Sequence, residues 1–335
     1  MPMPGVTGPA DNRADNNDNR HRREPFMNSA TTLTFSTPPP VLSQYLRAVF
    51  ARGKNSAAAH PAFPALQAGL NNVTVNTAKA ERYARVCEFT QTENEADILP
   101  CTYPHILSFP LQMELMLHKD FPLPLLGLVH IRNSMTQYRP IRLREPLNIR
   151  CRLGRSQRTE KGIEFDICSE VSSGDEMLWQ SVSTYFFRQR RAAQNRPPKT
   201  DAGDDRRAAA RFDYSECWQL ASDLGRRYAR VSADSNPIHL FAFSARLFGF
   251  KRHIAHGMWS KARIAASLSK AFSHKAFCLT TEFRAPVFLP SQVTLNYSRL
   301  SATAVNGTQA ARGFRFELTN KRGDKTHVAG ELRAL

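Results

Sequence analysis

The sequence predicts an α+β protein built from two related units in tandem, and three observations carry that prediction. Arg82-Tyr83-Ala84-Arg85-Val86 recurs as Arg227-Tyr228-Ala229-Arg230-Val231. In each half a histidine then heads an apolar helical stretch. Pro104-His105-Ile106-Leu107 precedes Phe109–Leu117, and Ala255-His256-Gly257-Met258 opens the second stretch. Further on, Tyr138-Arg139 before Pro140-Ile141 echoes Phe283-Arg284 before Pro286-Val287, and the pattern of Gly162–Ile167 matches that of Gly313–Leu318. Echoes in a constant order mean a repeated structural unit.

Taken in order, residues 1–32 are rich in Asp, Asn, Arg and Pro without apolar periodicity and read as a disordered arm, with Met27 a candidate start. The first unit spans 33–187. Within it, 41–50 reads as an amphipathic helix, 51–72 as loop and 73–90 as strand. Phe121–Gly127 reads as an apolar loop, either under the core or along a ligand tunnel. Residues 188–211 carry eight Lys/Arg and Pro197-Pro198 and read as a solvated basic linker. The second unit spans 212–335. In it a strand is expected to end near Val231, followed by a turn through Ser232–Ser235. Asn236 caps a helix that begins at Pro237, because Asn is favoured at the cap and Pro in the first turn. Ile238, Phe241, Ala242, Ala245 and Phe248 give that helix its apolar face, and Gly249 ends it.

Composition narrows the function classes. The chain has 335 residues, formal charge +17 and a hydrophobic fraction of 41%. No run of apolar residues is long enough to span a membrane, and no apolar signal core opens the chain. Cys87, Cys101, Cys151, Cys168, Cys217 and Cys278 show no metal-like spacing, so a reduced, cytoplasmic setting is expected. The basic balance comes without a nucleic-acid motif, and a basic surface can equally steer other anionic partners.

The candidate chemistry sits in Tyr228–His239, YARVSADSNPIH. Asp234 and His239 share one turn, where a carboxylate and a neutral imidazole can hold one water between them. The first-turn amides and helix dipole are expected to keep His239 neutral. Helix capping is the plain structural alternative for Asn236-Pro237. Gly257 then opens the next helix, where a residue without a side chain lets a carbonyl approach unpaired amides. His256 beside it reads as structural. Glu145 and Glu282 fall in sheet segments and do not suit acid–base work.

The string Tyr228-x-x-Val231-Ser232-x-Asp234-x-Asn236-Pro237-Ile238-His239, with Ala245 and His256-Gly257-Met258, resembles the MaoC-like, (R)-specific enoyl-CoA hydratase family. The resemblance implies the hotdog fold, here doubled: two long helices, each wrapped by an antiparallel sheet and joined side by side. It implies reversible hydration of trans-2-enoyl thioesters, or dehydration of (3R)-3-hydroxyacyl thioesters. Asp234 and His239 would be the catalytic pair, Gly257 the oxyanion hole, and Asn236 and Ser232 the orienting residues. The family usually has Gly before the Asp, where this chain has Ala233. Lys251, Arg252 and Arg284 are candidate contacts for coenzyme A phosphates. The substrate would arrive on coenzyme A or an acyl carrier protein, no cofactor or metal is called for, and a homodimer is compatible. The first unit lacks Asp-x-Asn-Pro-x-x-His, is about twenty residues shorter in its wrapping segment, and has Ile106 for Gly257. One active site is therefore expected, with room in the first unit for a longer acyl chain. An acyl thioesterase of the same fold, and a non-catalytic acyl-thioester or nucleic-acid binding protein, are the rival readings.

Overall fold

A computed structural model of the chain describes residues 31–50, 61–90, 97–125, 127–189, 212–301 and 311–335. The first unit runs β1 (Thr31–Phe35), α1 (Val41–Phe50), β2 (Leu66–Val73), α2 (Thr77–Val86), α3 (Tyr103–Leu117), β3 (Leu128–Gln137), β4 (Leu147–Thr159), β5 (Gly162–Ser173) and β6 (Glu176–Arg188). The second runs β7 (Tyr214–Leu220), α4 (Leu224–Ser232), a 3-10 turn (Pro237–His239), α5 (Ala242–Arg246), α6 (Gly257–Ser269), β8 (Phe277–Phe283), β9 (Ser291–Ser301), β10 (Ala311–Asn320) and β11 (Thr326–Ala334).

The strands form one 11-stranded sheet in the order β1-β2-β4-β5-β6-β3-β8-β11-β10-β9-β7. β1 and β2 pair in parallel; the seam between the units is the antiparallel pair β3–β8, from Arg132↔Glu282 to Gln137↔Phe277. α3 and α6 are almost wholly buried, α3 mostly apolar and α6 carrying Lys261 and Arg263 among its buried residues, as a helix wrapped by sheet requires. The fold is the double hotdog the sequence predicts. Lys261 on α6 locks the seam. Its fully buried Nζ donates to Asn133 O and Leu279 O, both at 2.9 Å, and to Asn133 Oδ1. Three acceptors match the three donors of an ammonium, although burial pulls its pKa down to about 7.

Several local expectations need correction. The recurring pentapeptide is helical in both units, α2 and α4, rather than strand. A five-residue window reads as alternation. One more turn upstream puts Ala80, Tyr83 and Ala84 on one buried face, which is helical spacing, and Asn76 caps α2 by accepting from Lys79 N–H at 2.9 Å. The two copies pack against each other, with Tyr83 and Tyr228 ring centroids 5.9 Å apart. The expected loop over 51–72 contains β2 from Leu66, and the part at 51–60 lies outside the described residues. The disordered arm also lies outside them, save Thr31 and Thr32, which belong to β1. The linker likewise lies outside, save Arg188, which closes β6, and Gln189. The helix expected from Pro237 is only a 3-10 turn, followed by the short α5. Gly249 does stop it, at φ +83°. Ile106 is not at the start of α3 but one turn in. The segment joining α2 to α3 (Cys87–Thr102) is shorter than that joining α4 to α6 (Ala233–His256), but by fewer residues than expected. Glu145 lies in a turn, bonded to Arg139, instead of in the sheet.

Candidate active site

The turn after α4 is built from the backbone outward. Ala233 ends the helix in the left-handed region at φ +64°, the conformation for which glycine is the usual choice. Asp234 N–H then donates to Ser232 Oγ at 3.1 Å, and Asn236 N–H donates back to Asp234 Oδ1 at 3.2 Å. The Asn236 side chain accepts from Ile238 N–H at 3.3 Å. Ser232 and Asn236 thus hold the backbone on either side of Asp234. Gly225 on α4 sets the depth of the turn: a Cβ there would fall 2.0 Å from the His239 carbonyl oxygen.

His239 is buried, and its Nδ1 lies 2.8 Å from Ile254 O. A carbonyl only accepts, so Nδ1 carries the hydrogen and Nε2 keeps a free lone pair. Burial, helped by His256, pulls the ring down to about 3, so it is neutral at neutral pH. The neutral ring agrees with the sequence, but the cause is desolvation, since a three-residue 3-10 turn has little dipole. His256 stacks on His239 with centroids 3.7 Å apart and planes at 25°. By the same logic its Nε2–H donates to Asp234 O at 3.0 Å. Its role is to hold the Asp234 backbone and one face of His239, in keeping with the structural reading of it. The Asp234 side chain is 27% exposed. Burial pushes its carboxyl up, but His256, His239, the Tyr45 hydroxyl and the Asn236 N–H together hold it below the usual carboxylate range.

Asp234, His239 and Gly257 line one cavity of about 570 Å³. Gly257 is the first residue of α6, so its N–H has no intrahelical partner. A Cβ on it would meet the Phe283 ring at 3.1 Å; glycine is required for packing there as well as for access. The far wall comes from the first unit: Ile106, Phe109, Met113 and Met116 of α3, with Leu125 and Leu128. Phe121 and Leu123 are core, while Leu125 and Gly127 of the same loop line the cavity. Arg284 lines the cavity mouth and is paired with Glu282 at 3.0 Å. Lys251 and Arg252 are exposed and do not line it. Asp234, His239 and His256 offer ligand atoms within 4.8 Å of one another, but they fit a metal poorly. One nitrogen of each ring is already bound to a backbone carbonyl, which leaves a single free nitrogen on each.

The comparisons with known proteins point to one family. A model of the MaoC like domain matches residues 206–313. The 3-hydroxyacyl-thioester dehydratase X of Mycobacterium tuberculosis is 32% identical over 197 residues, which cover 59% of this chain and 69% of the relative. The chain belongs to the MaoC-like dehydratase family. Among solved structures, HtdX of M. tuberculosis superposes with a TM-score of 0.63 at 28% identity, covering 80% of this chain and 100% of that one. A MaoC-like dehydratase from Phytophthora capsici gives 0.64 at 17% identity, over 82% and 97% of the two chains, and speaks for the fold alone.

Of four further residues that this MaoC-like chain brings to the cavity, Tyr45, His105, His130 and Tyr185, three escape a reading of the sequence. His105 alone stands out there, as an echo of His256. Tyr45 donates to Asp234 Oδ1 from a helix 189 residues away, and no local pattern could have announced that contact.

Proposed function

We propose that this protein is a hydro-lyase that reversibly hydrates trans-2-enoyl thioesters and dehydrates (3R)-3-hydroxyacyl thioesters. The observation that carries the reading is the meeting of Asp234, His239 and the unpaired Gly257 N–H on one cavity. The thioester carbonyl would accept from Gly257 N–H at the positive end of α6, which stabilises enolate-like charge as it develops. A water held between the free Asp234 Oδ2 and His239 Nε2 loses one proton to the pair while its oxygen bonds to the β-carbon. The pair then returns a proton to the α-carbon on the same face. Both groups are acceptors at neutral pH, so the proton belongs to the pair and not to either member.

Two hotdog units at 33–187 and 212–335, joined by a basic tether at 188–211, are part of the proposal, with catalysis in the second alone. The apolar wall from α3 supports a long acyl chain running into the first unit. Arg284 at the mouth is the best placed of the three cations to meet a phosphate of coenzyme A or a carrier's prosthetic arm. The six cysteines are all unpaired, which favours a reducing compartment. Crotonyl-CoA and longer enoyl-CoA substrates, followed by absorbance and by chiral analysis of the product, test the reading. Loss of the enoyl band without free thiol, yielding the (3R) alcohol, is expected. Release of thiol would mean a thioesterase and would overturn it.

A further inference from the structure

Tyr45 lies on α1, in the first unit, yet its hydroxyl donates to Asp234 Oδ1 in the turn after α4. We propose that Tyr45 is a positioning residue for the Asp234 carboxylate, so that the first unit completes the site whose acid–base pair the second unit carries. The inference rests on the reading of Asp234 given above.

The placement of Tyr45 is anchored. Val41, Gln44 and Ala48 bury one face of α1. Gln44 Nε2, itself buried, donates to Pro110 O and to Glu114 Oε1, both at 2.8 Å, and Arg47 reaches the same Glu114 at 2.8 Å. These bonds fasten α1 to α3, the central helix of the first unit, and the next residue after Gln44 is turned into the cavity. A floppy surface tyrosine would not be held this way on its own helix.

The carboxylate shows what the contact accomplishes. Oδ1 takes two donors, the Tyr45 hydroxyl and the Asn236 N–H at 3.2 Å. Oδ2 has His256 Nε2 at 3.8 Å, but the hydrogen on that nitrogen goes to the Asp234 carbonyl at 3.0 Å. With Oδ1 fixed from two sides, the carboxylate cannot rotate, and Oδ2 is left for a water. The phenol is a dependable donor, because burial and the adjacent carboxylate raise its pKa well above the usual value. Hydrogen bonds to the ionised form also favour that form, which keeps Asp234 charged beside two neutral imidazoles. The titratable groups around Asp234 are Tyr45 from α1, His105 from α3, His130 from β3, Tyr185 from β6, Tyr228 from α4, and His239 and His256. Burial lowers all four histidines and raises all three tyrosines. Near neutral pH Asp234 is therefore the charged member of the group.

The test is Tyr45→Phe, alone and combined with Asp234→Asn, assayed for enoyl-CoA hydration across pH. Phenylalanine keeps the ring and its packing and removes only the donor. The expected result is a fall in kcat of about tenfold or more, the scale of a lost hydrogen bond to a charged group, with KM nearly unchanged. Without the donor the carboxylate is less stabilised and its pKa rises, so the acid limb of kcat/KM moves up by about one pH unit. In the Asp234→Asn background, Tyr45→Phe should cost nothing further, because the group it acts through is gone. A ring that only fills space would leave both kcat and the acid limb at wild-type values, and that result overturns the proposal. So does a loss of equal size in the Asp234→Asn background, which would mean that Tyr45 acts independently of the carboxylate. If Asp234→Asn alone hydrates normally, the reading of the pair itself fails; if it is impaired while Tyr45→Phe is not, only the positioning role fails.

Discussion

The turns that follow α2 and α4 begin alike and end differently. Aligned on the repeated pentapeptide, Glu88 and Ala233 occupy the same position, and both take the left-handed conformation, at φ +59° and +64°. The next residue is Phe89 in one and Asp234 in the other. Phe89 packs against the apolar core, whereas Asp234 faces the cavity with its carboxylate fixed by Tyr45 and Asn236. The exit from the helix is therefore a property of the repeated fold, and the proposed chemistry is one side chain added to it. The first unit nevertheless serves the second. Val86 O accepts from Trp259 Nε1 at 3.0 Å, and Glu88 pairs with Arg263 at 2.8 Å, so the first unit's turn holds α6 in place.

The largest expected effect separates the two turns directly. Asp234→Asn and His239→Gln should each lower kcat by about 10²-fold or more, with the double variant only slightly worse, since groups acting on one water lose most of their effect with the first removal. Phe89→Ala should leave kcat near wild type and lower the melting temperature. Steady-state kinetics with melting curves on all four variants check this. A well-folded Asp234→Asn enzyme with normal turnover would reduce the second turn to a capping motif like the first.

A second effect comes from the helices beneath the turns. Gly225 on α4 aligns with Ala80 on α2. A methyl group at Gly225 would lie 2.0 Å from the His239 carbonyl oxygen, so Gly225→Ala must shift the His239 backbone and with it the imidazole relative to Asp234. A displacement near 1 Å can cost about 10²-fold, and a loss of kcat of about tenfold or more is expected despite the better helix propensity of Ala. Ala80→Gly, the reverse change, should cost only about 1 kcal/mol of stability. Equal activity in both variants would show that α4 does not set the depth of the turn that carries Asp234 and His239.

Much of this contrast is legible without the structure. The repeat, the two apolar central helices and the Asp-x-Asn-Pro-x-x-His turn are local patterns, and local patterns survive in a sequence. The positive φ at Ala233 agrees with the family's preference for glycine there. What escapes the sequence depends on distant partners or on neighbouring turns. Residues 73–90 and the stretch ending at Val231 read as strand because their alternation is plainer than the helical spacing of Ala80, Tyr83 and Ala84 that the buried face of α2 reveals. Gly225 gives no sign, since its need appears only when His239 folds back over α4. Tyr45 meets Asp234, and His105, His130 and Tyr185 share its cavity, across the junction of the units, and sequence periodicity has no reach over such distances.

Acid should affect the units similarly, although only one carries the proposed acid–base pair. Burial lowers His105 in the first to about 4 and His239 in the second to about 3. An unfolded histidine takes up a proton below about pH 6.5, while these stay neutral until much lower. Between those limits the unfolded state binds more protons, so stability falls as pH drops. Each ring contributes up to about 1.4 kcal/mol per pH unit. His105→Gln and His239→Gln should each flatten the difference between urea midpoints at pH 7 and pH 5, by comparable amounts. An unchanged slope in either would show that its ring takes up protons in the folded protein as it does in the unfolded chain.

The smallest effect returns to the shared left-handed position. A side chain there costs about 1–2 kcal/mol relative to glycine, offset by about 0.4–1 kcal/mol because glycine makes the unfolded chain more disordered. Ala233→Gly should therefore stabilise the protein slightly, by about 0.5–1 kcal/mol, with kcat unchanged because no side-chain contact to Asp234 is lost. Glu88→Gly relieves the same strain but also removes the carboxylate that meets Arg263 at 2.8 Å. That carboxylate is 62% exposed, and Arg263 keeps Glu216, also at 2.8 Å, so the lost pair is worth little. Its net gain should fall below that of Ala233→Gly without reversing sign. Urea denaturation of the two variants beside wild type resolves the order. If Glu88→Gly were instead strongly destabilising, the pair with Arg263 would be a principal tie between the first unit's turn and α6, and the two turns would differ in what they hold as well as in what they catalyse.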